Sequence, residues 1–378
     1  MKGISLIFLT LLLVLHGRTQ TIQDNSTTNY LTSGIDAIVK NAASTFMKDP
    51  SRVGLSIGII KDGKTYIYNY GTTEKGKDLL PTQNTIYEIG SISKTFTGTL
   101  LAEAILDKKV KLNDDIRKYL NEPYPNLEYE GNPIKIVHLV THTAGLPQFL
   151  PDRPDIFQHS SDSIPLFLTA IQKNYTKDKF LKDLHKIDLD TIPGFNYKYS
   201  NVDAQLVGFI LENVYHTSYA TLIKKFITEP LGMNYTKVAI KDNMQRQLAK
   251  GYSATGRLMP YMPPLLAPAG GIYSSVKDML KYMKFHLNKN SSSATLSHQV
   301  VYGDTSNFGE GLFWRMNKTS NGQLKVWHTG GTFGFSSYCV LYPKFNMSII
   351  LLSNEMDMDS QGQLVSAADK IFESVFNK

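Results

Sequence analysis

The sequence predicts an α/β (α+β) fold in which both ends of the chain supply strands to one antiparallel sheet while the middle folds as helices. Three observations carry that reading. Apolar and β-branched runs bounded by turn residues lie near the start, at 53–60 and 65–70, and recur near the end, at 324–329, 334–342 and 347–352. Between about 91 and 286, apolar residues fall at helical offsets with long connections. No internal repeat, low-complexity tract or linker divides 21–378. The chain therefore reads as one unit of two lobes, a sheet lobe from about 30–80 and 322–378 and a helical lobe from about 90–320.

Each element has a local cause. Ile35, Ile38, Val39, Ala42, Ala43 and Phe46 recur at helical spacing, and Asp49-Pro50 ends that helix. Asp62-Gly63 is a tight turn that folds 53–60 back onto 65–70. A helix over 93–106 carries an apolar stripe of Phe96, Leu100, Ala104 and Ile105. Further helices are expected over 134–141, 163–173, 202–214 and 219–227, with a short one at 114–120 and a Pro/Asn loop at 122–133. The Pro/Met/Gly-rich run 256–271 lacks a regular period and reads as a long loop on the functional side. Three late strands and a closing helix over 364–376 complete the count of five strands, two early and three late.

Bulk properties exclude several classes. With 378 residues, 42% hydrophobic and 19% charged, the chain can bury a substantial core. The net charge of +7 is spread without a dense basic block, which argues against a nucleic-acid partner. Met1-Lys2 followed by an apolar stretch over 4–15 has the form of a signal peptide ending near residue 20, too short to span a bilayer. A secreted or periplasmic protein is expected, with membrane attachment only through an uncleaved signal segment. Cys339 is the single cysteine, so no internal disulfide forms. The nine histidines show no metal-ligand spacing, and neither metal nor cofactor is expected.

The chemistry concentrates in short stretches. Ser91 and Lys94 are three apart in Ile89-Gly90-Ser91-Ile92-Ser93-Lys94, so on a helix their Cβ atoms lie about 5 to 6 Å apart on one face. A serine there has an amine beside it and free helix amides in front of it. Ser274 and Lys277 repeat the spacing, but Ser275 and Asp278 read as a capping box that starts a helix. Gly54-Leu55-Ser56-Ile57-Gly58 matches a nucleophile-elbow pattern, yet it runs straight through a strand, so Ser56 reads as a strand residue. Tyr199-Ser200-Asn201 follows the Pro193-Gly194 turn and precedes a helix, setting a phenol and a carboxamide where both can face a cleft. His328-Thr329-Gly330-Gly331 ends a strand with glycines that permit close backbone approach. His142 reads as a capping or core histidine.

Ser-x-x-Lys, Tyr-x-Asn about a hundred residues on, and a basic residue followed by Thr-Gly on a late strand together resemble the serine β-lactamase and penicillin-binding-protein-like hydrolases, class C-like branch. Thr141-His142-Thr143-Ala144-Gly145-Leu146-Pro147, Pro230-Leu231-Gly232-Met233 and Ala269-Gly270-Gly271 support it over roughly 30–376. The resemblance implies a β-lactamase/transpeptidase-like catalytic unit with a five-stranded antiparallel sheet flanked by the terminal helices, and a helical lobe across a cleft. It implies Ser91 as nucleophile, Lys94 as its proton partner and Tyr199 as the base that also protonates the leaving group. His328 joins them in the catalytic group. The oxyanion hole would be the amides of Ser91 and Gly331, and substrate contacts would come from Asn201, Thr329, Gly330 and Gln148. His328 stands where class C β-lactamases usually carry lysine, and relatives with histidine there include D-amino-acid peptidases, carboxypeptidases and esterases. The substrate is therefore expected to be a D-amino peptide, a β-lactam or an ester. The alternative is a penicillin-binding or sensing protein that acylates with little turnover. Whether Lys94 or Tyr199 is the base stays open, since one of the two must have a lowered pKa. Substituting Ser91→Ala is expected to abolish ester cleavage in a colorimetric assay, whereas Ser274→Ala and Ser56→Ala stay near wild type; full activity in Ser91→Ala would eliminate this chemistry.

Overall fold

The computed structural model describes residues 34–240 and 242–376; the leader expected over 1–20 lies outside them. Helix α1 (Gly34–Phe46) leads into a hairpin of β1 (Gly54–Lys61) and β2 (Lys64–Gly71), turned at Asp62-Gly63 as expected. Ser91 follows in a 3₁₀ turn, Gly90–Ile92, continuous with α2 (Ser93–Leu106). Two further helices shape the site, α3 (Asn201–Tyr215) and α4 (Val276–Leu287). Six strands of the main sheet follow: β3 (Tyr302–Asp304), β4 (Phe308–Glu310), β5 (Arg315–Lys318), β6 (Leu324–Gly331), β7 (Ser336–Tyr342) and β8 (Met347–Ser353). Helix α5 (Ser360–Phe376) closes the chain.

The sheet has eight strands in the order β2-β1-β8-β7-β6-β5-β4-β3, all antiparallel. The expected count of five is therefore corrected. The five expected strands form a contiguous block, and three short strands of three or four residues extend its edge. Such short segments show too few alternations for periodicity to register.

Both sheet faces are covered, which is why β1, β7 and β8 read as nearly continuous apolar runs rather than alternating ones. Leu55, Ile57, Ile59, Val340 and Ile349 pack against the terminal helices α1 and α5. The opposite face, including Cys339, Leu341, Ile350 and Leu352, packs with Val276, Met279 and Met283 of α4 and continues into the helical core. Ser56 is fully buried in β1, where its hydroxyl bonds Asn69 at 2.7 Å and Tyr87 at 3.0 Å, consistent with a strand role.

Several local expectations are refined. The expected helix over 219–227 is α-helical for Tyr219–Ile223 and π-helical for Lys224–Thr228. The loop 122–133 contains a two-residue ladder, Glu128–Tyr129 against Asn132–Pro133. Helices Lys177–Leu184 and Ser292–Ser297 are additional. Ser275 caps α4 by accepting from the Asp278 amide at 3.3 Å, but the reciprocal half of the expected capping box is missing. Asp278 instead accepts from the amide of Tyr235 and from Thr236 at 3.1 Å, and so ties α4 to the preceding connection.

Helix α2 reaches its depth because residue 98 has no side chain. A Cβ on Gly98 would stand 2.1 Å from the Leu312 carbonyl oxygen, a backbone atom that cannot swing aside. Gly98→Ala gains about 1 kcal/mol in helix propensity, but overpacking of this kind typically costs ~1–3 kcal/mol. A net loss in urea unfolding free energy is expected; a gain would show that α2 is free to shift outward.

Candidate active site

The residue that presents Ser91 is held by its neighbours on both sides. Strand Ile86–Glu88 pairs with Tyr273–Ser275, and the Ile89 amide donates to Ile272 O at 3.0 Å. On the other side Ser337 Oγ donates to Ile89 O at 2.8 Å, bringing β7 and β6 against the turn. The approach is close enough to demand glycine. Gly90 has φ +52°, and a Cβ there would lie 2.5 Å from the Gly331 nitrogen. A Cβ on Gly330 would lie 2.1 Å from Ile89 O. Gly330, expected among the substrate contacts, packs against Ile89 O of the turn that carries Ser91, between the cavity-lining Thr329 and Gly331.

Tyr199 and Asn201 are fixed by a different device. The Ser200 side chain caps α3 by accepting from the Asp203 amide at 3.2 Å, and its hydroxyl donates to Pro147 O at 2.6 Å. Backbone bonds from Gly194 to Thr143 O, from Lys198 to His142 O and from Asn201 to Gln148 O strap the segment before α3 onto residues 142–148. His142 is completely buried beneath Tyr199, with ring centroids 4.5 Å apart, and its Nδ1 meets Asp203 at 2.8 Å. It is both a core residue and, with φ +54°, the left-handed residue that ends the helix Ile136–Val140, where its amide donates to Leu139 O at 3.4 Å and the Thr143 amide donates to His138 O at 2.9 Å. Burial drives Asp203 well above the usual carboxylate range and His142 well below the usual histidine range, so an ion pair is disfavoured here.

These two supports bring three functional groups onto one hydroxyl. Tyr199 Oη donates to Ser91 Oγ at 2.6 Å, and Lys94 Nζ lies 3.2 Å from the same oxygen. Lys94 also donates to Asn201 Oδ1 at 2.7 Å and Ala269 O at 2.6 Å. Its side chain is wholly buried, and desolvation, helped by the charge of Arg315, holds its pKa well below the usual lysine range. Burial pushes the Tyr199 phenol upward, partly offset by its bond to Ser91 and by Arg315. Burial thus disfavours the charged form of both groups. Lys94 Nζ donates to Ser91 Oγ as well as to Asn201 Oδ1 and Ala269 O, and loss of one of its protons would free a lone pair beside the Ser91 hydroxyl.

Ser91, Tyr199, Asn201, Gln148, His328, Thr329 and Gly331 line one cavity of about 920 Å³; Lys94 stands behind Ser91 in the wall. His328 is 1% exposed, its Nδ1 lies 2.6 Å from Thr329 O, and its Nε2 has no partner. Burial, reinforced by Arg315, keeps it well below the usual histidine range and therefore uncharged.

Arg315, absent from the sequence expectations, supplies the fixed charge that His328 lacks. It lines the cavity from β5, with its guanidinium 5.5 Å from the ring centroids of both Tyr199 and Trp327 and bonded to Tyr197 Oη at 3.2 Å. The signal that finds it is Asn321-Gly322, a hairpin turn pair that sets Arg315 opposite Trp327 and so beside His328. Glu310 pairs with Arg315 in register and is fully buried with neither carboxylate oxygen bonded, and burial pushes its pKa up to about 8.

Comparison with known proteins finds related sequences and structures. The Beta-lactamase family profile matches residues 39–370. Protein flp of Staphylococcus aureus (strain MRSA252) is 29% identical over 316 residues, covering 80% of this chain but 59% of that protein, so this chain spans well under two thirds of its length. A Beta-lactamase of Psychrobacter immobilis is 28% identical over 375 residues, covering 90% of this chain and 88% of that one. A solved structure described as Beta-lactamase/D-alanine Carboxypeptidase from Yersinia pestis complexed with citrate superposes with a TM-score of 0.77 at 22% identity, over 90% of this chain and 98% of that one, which shows a shared fold.

Glu310 gives a pH test of the buried site. Its folded pKa of about 8 exceeds its ordinary 4.5. The stability it contributes is fully present below about 4.5 and is lost as pH rises through about 8. Glu310→Gln removes that loss, so the variant should gain on wild type by more than ~1.4 kcal/mol, the linkage of one pKa unit, when urea unfolding at about pH 8.5 is compared with about pH 5.5. A constant difference between the two proteins would place Glu310 in contact with solvent.

Proposed function

The chain belongs to the Beta-lactamase family, and on that premise we propose that it is a serine hydrolase that forms an acyl-enzyme on Ser91 and cleaves amide or ester bonds. The observation that carries the reading is the Ser91 oxygen held between the Lys94 amine at 3.2 Å and the Tyr199 phenol at 2.6 Å. A serine hydroxyl needs an adjacent base to attack a carbonyl, and a buried neutral amine is such a base.

In this reading Lys94 Nζ takes the Ser91 proton as Oγ adds to the substrate carbonyl. The oxyanion is received by the amides of Ser91 and Gly331, a type of contact whose loss costs about 3–4 kcal/mol. As the intermediate collapses, the Tyr199 phenol protonates the departing amine or alcohol and is reprotonated from Lys94, now an ammonium 4.8 Å from its ring centroid. Arg315 stabilises the transient phenolate from the other side. Water then enters in place of the leaving group and gives its proton to Lys94 or Tyr199 as it adds to the acyl carbonyl; the bond to Ser91 Oγ breaks, the proton passes to that oxygen, and the acyl group leaves as the acid. Asn201 and Thr329 are suited to hold the substrate amide, and Gln148 borders the same cavity. The apolar run 4–15 behind Met1-Lys2 supports export to a secreted or periplasmic location.

Intact-mass measurement with a β-lactam and with an activated ester tests the proposal. A transient adduct on Ser91 is expected, with release of product; a lasting adduct would indicate a penicillin-sensing protein, and no adduct in either case would overturn the mechanism. A second outcome follows from charge. Lys94 faces Arg315, Asp203, Glu310, His142, His328 and Tyr199. Arg315→Gln removes the cation that disfavours its protonation, so the acid limb of kcat/KM should move to higher pH by about half a unit or more. An unmoved limb would show that Lys94 is not the group being titrated.

A further inference from the structure

The cavity around Ser91 is larger and more apolar than the reacting atoms require. At about 920 Å³ it stands near the top of the ~300–1,000 Å³ range of small-molecule sites. Its inner end carries the polar groups already described. Its outer end is built differently. Phe149 and Phe157, with ring centroids 6.1 Å apart, Leu168 of the helix Ile164–Gln172, Phe333 and Met358 line it, and Met356 joins it to Gly331. Phe157 is 43% exposed and Met358 is 97% exposed, so the apolar surface continues from the cleft wall to its mouth. Scattered exposed apolar residues are ordinary, but a run contiguous with a candidate catalytic cleft marks a binding surface.

Charge narrows the occupant. Among the described residues lining the cavity, Arg315 is the one permanent cation, and it lies at the inner end over Tyr199 and Trp327. The outer end bears Asp162, Asp357 and Asp359, which disfavour an anionic tail. Asp357 is paired with Arg52 at 2.7 Å, and Asp162 accepts from Thr255 at 2.5 Å, so neither requires a cation from a ligand.

Building on the serine hydrolase reading, we propose that the outer cleft is a subsite for a long uncharged hydrocarbon chain, and that the substrates are esters or amides bearing such a chain. Small polar peptides would leave this wall in contact with water. A chain laid along it removes apolar surface on both partners, worth about fourfold in affinity per buried CH₂.

The experiment uses the full chain and two substrate series, p-nitrophenyl alkanoates from acetate to decanoate and alkyl acetates from ethyl to decyl. In at least one series kcat/KM should rise about fourfold per added CH₂ over the first several carbons. A double variant, Phe157→Ser with Met358→Ser, changes two exposed side chains and should lower the long-to-short ratio by about tenfold or more. Leu79→Ser, exposed elsewhere on the molecule, should keep the wild-type ratio. Binding of decanamide and acetamide to Ser91→Ala, measured calorimetrically, separates the subsite from the chemistry. Tighter decanamide binding supports the subsite even if no ester is cleaved. Ser91-dependent acetate cleavage with flat or falling chain dependence in both series leaves the hydrolase standing and overturns the subsite. Preference for a chain ending in an ammonium group over a neutral chain of equal length also overturns it.

Discussion

Removal of water from Lys94 is the constraint on which the rest of this structure depends. In solvent its amine would be an ammonium with no lone pair to offer Ser91. In the wall of the cleft it is wholly buried, faces the like charge of Arg315, and meets two acceptors that can only accept. Those acceptors come from different parts of the chain, Asn201 from the start of α3 and Ala269 from the long loop before α4. Neutrality of one amine therefore requires that α2, α3 and that loop all be in place.

The fold achieves this by crowding. The nucleophile turn is pinned between the Tyr273–Ser275 strand and the end of β6, at separations that exclude a side chain on Gly90 or Gly330. The same crowding strands several polar atoms without partners: both oxygens of Glu310, Nε2 of His142 and of His328, and Nε of Arg315. Each such group typically costs about 1–3 kcal/mol. Two large apolar cores, one on each face of the sheet, offset them.

How much of this could be read from residues alone depended on how local each cause was. The terminal helices, the first hairpin, the three long late strands and the cap on α4 are written in short windows of periodicity and turn chemistry, and they appear where those windows place them. The convergence of residues 91, 94 and 199 on one hydroxyl rests on the order of three motifs, since no single window contains it. The three edge strands are too short for periodicity, and the turn at Asn321-Gly322 is what makes β5 legible. Gly330 packs against Ile89 between two residues that line the cavity, a closeness that no single window of sequence contains. The capping role of His142 is local, at the end of the helix Ile136–Val140, whereas its burial is set by α3, 61 residues away.

The exchange between positions 315 and 328 links these points to selectivity. A lysine at 328 would bring its charge within the cleft on a flexible stem, whereas here the position is an uncharged, almost inaccessible imidazole. The positive charge of the cleft sits one strand over, on a guanidinium 5.5 Å from the ring centroids of Tyr199 and Trp327 and bonded to Tyr197. A planar guanidinium fixed on two rings cannot follow a substrate as an ammonium can. Its first effect is on the site's own groups, lowering the proton affinity of Lys94 and His328 and easing ionisation of Tyr199. The charge that could serve to hold a substrate anion is thus committed to tuning the proton carriers, and recognition passes to the shape and polarity of the remaining wall.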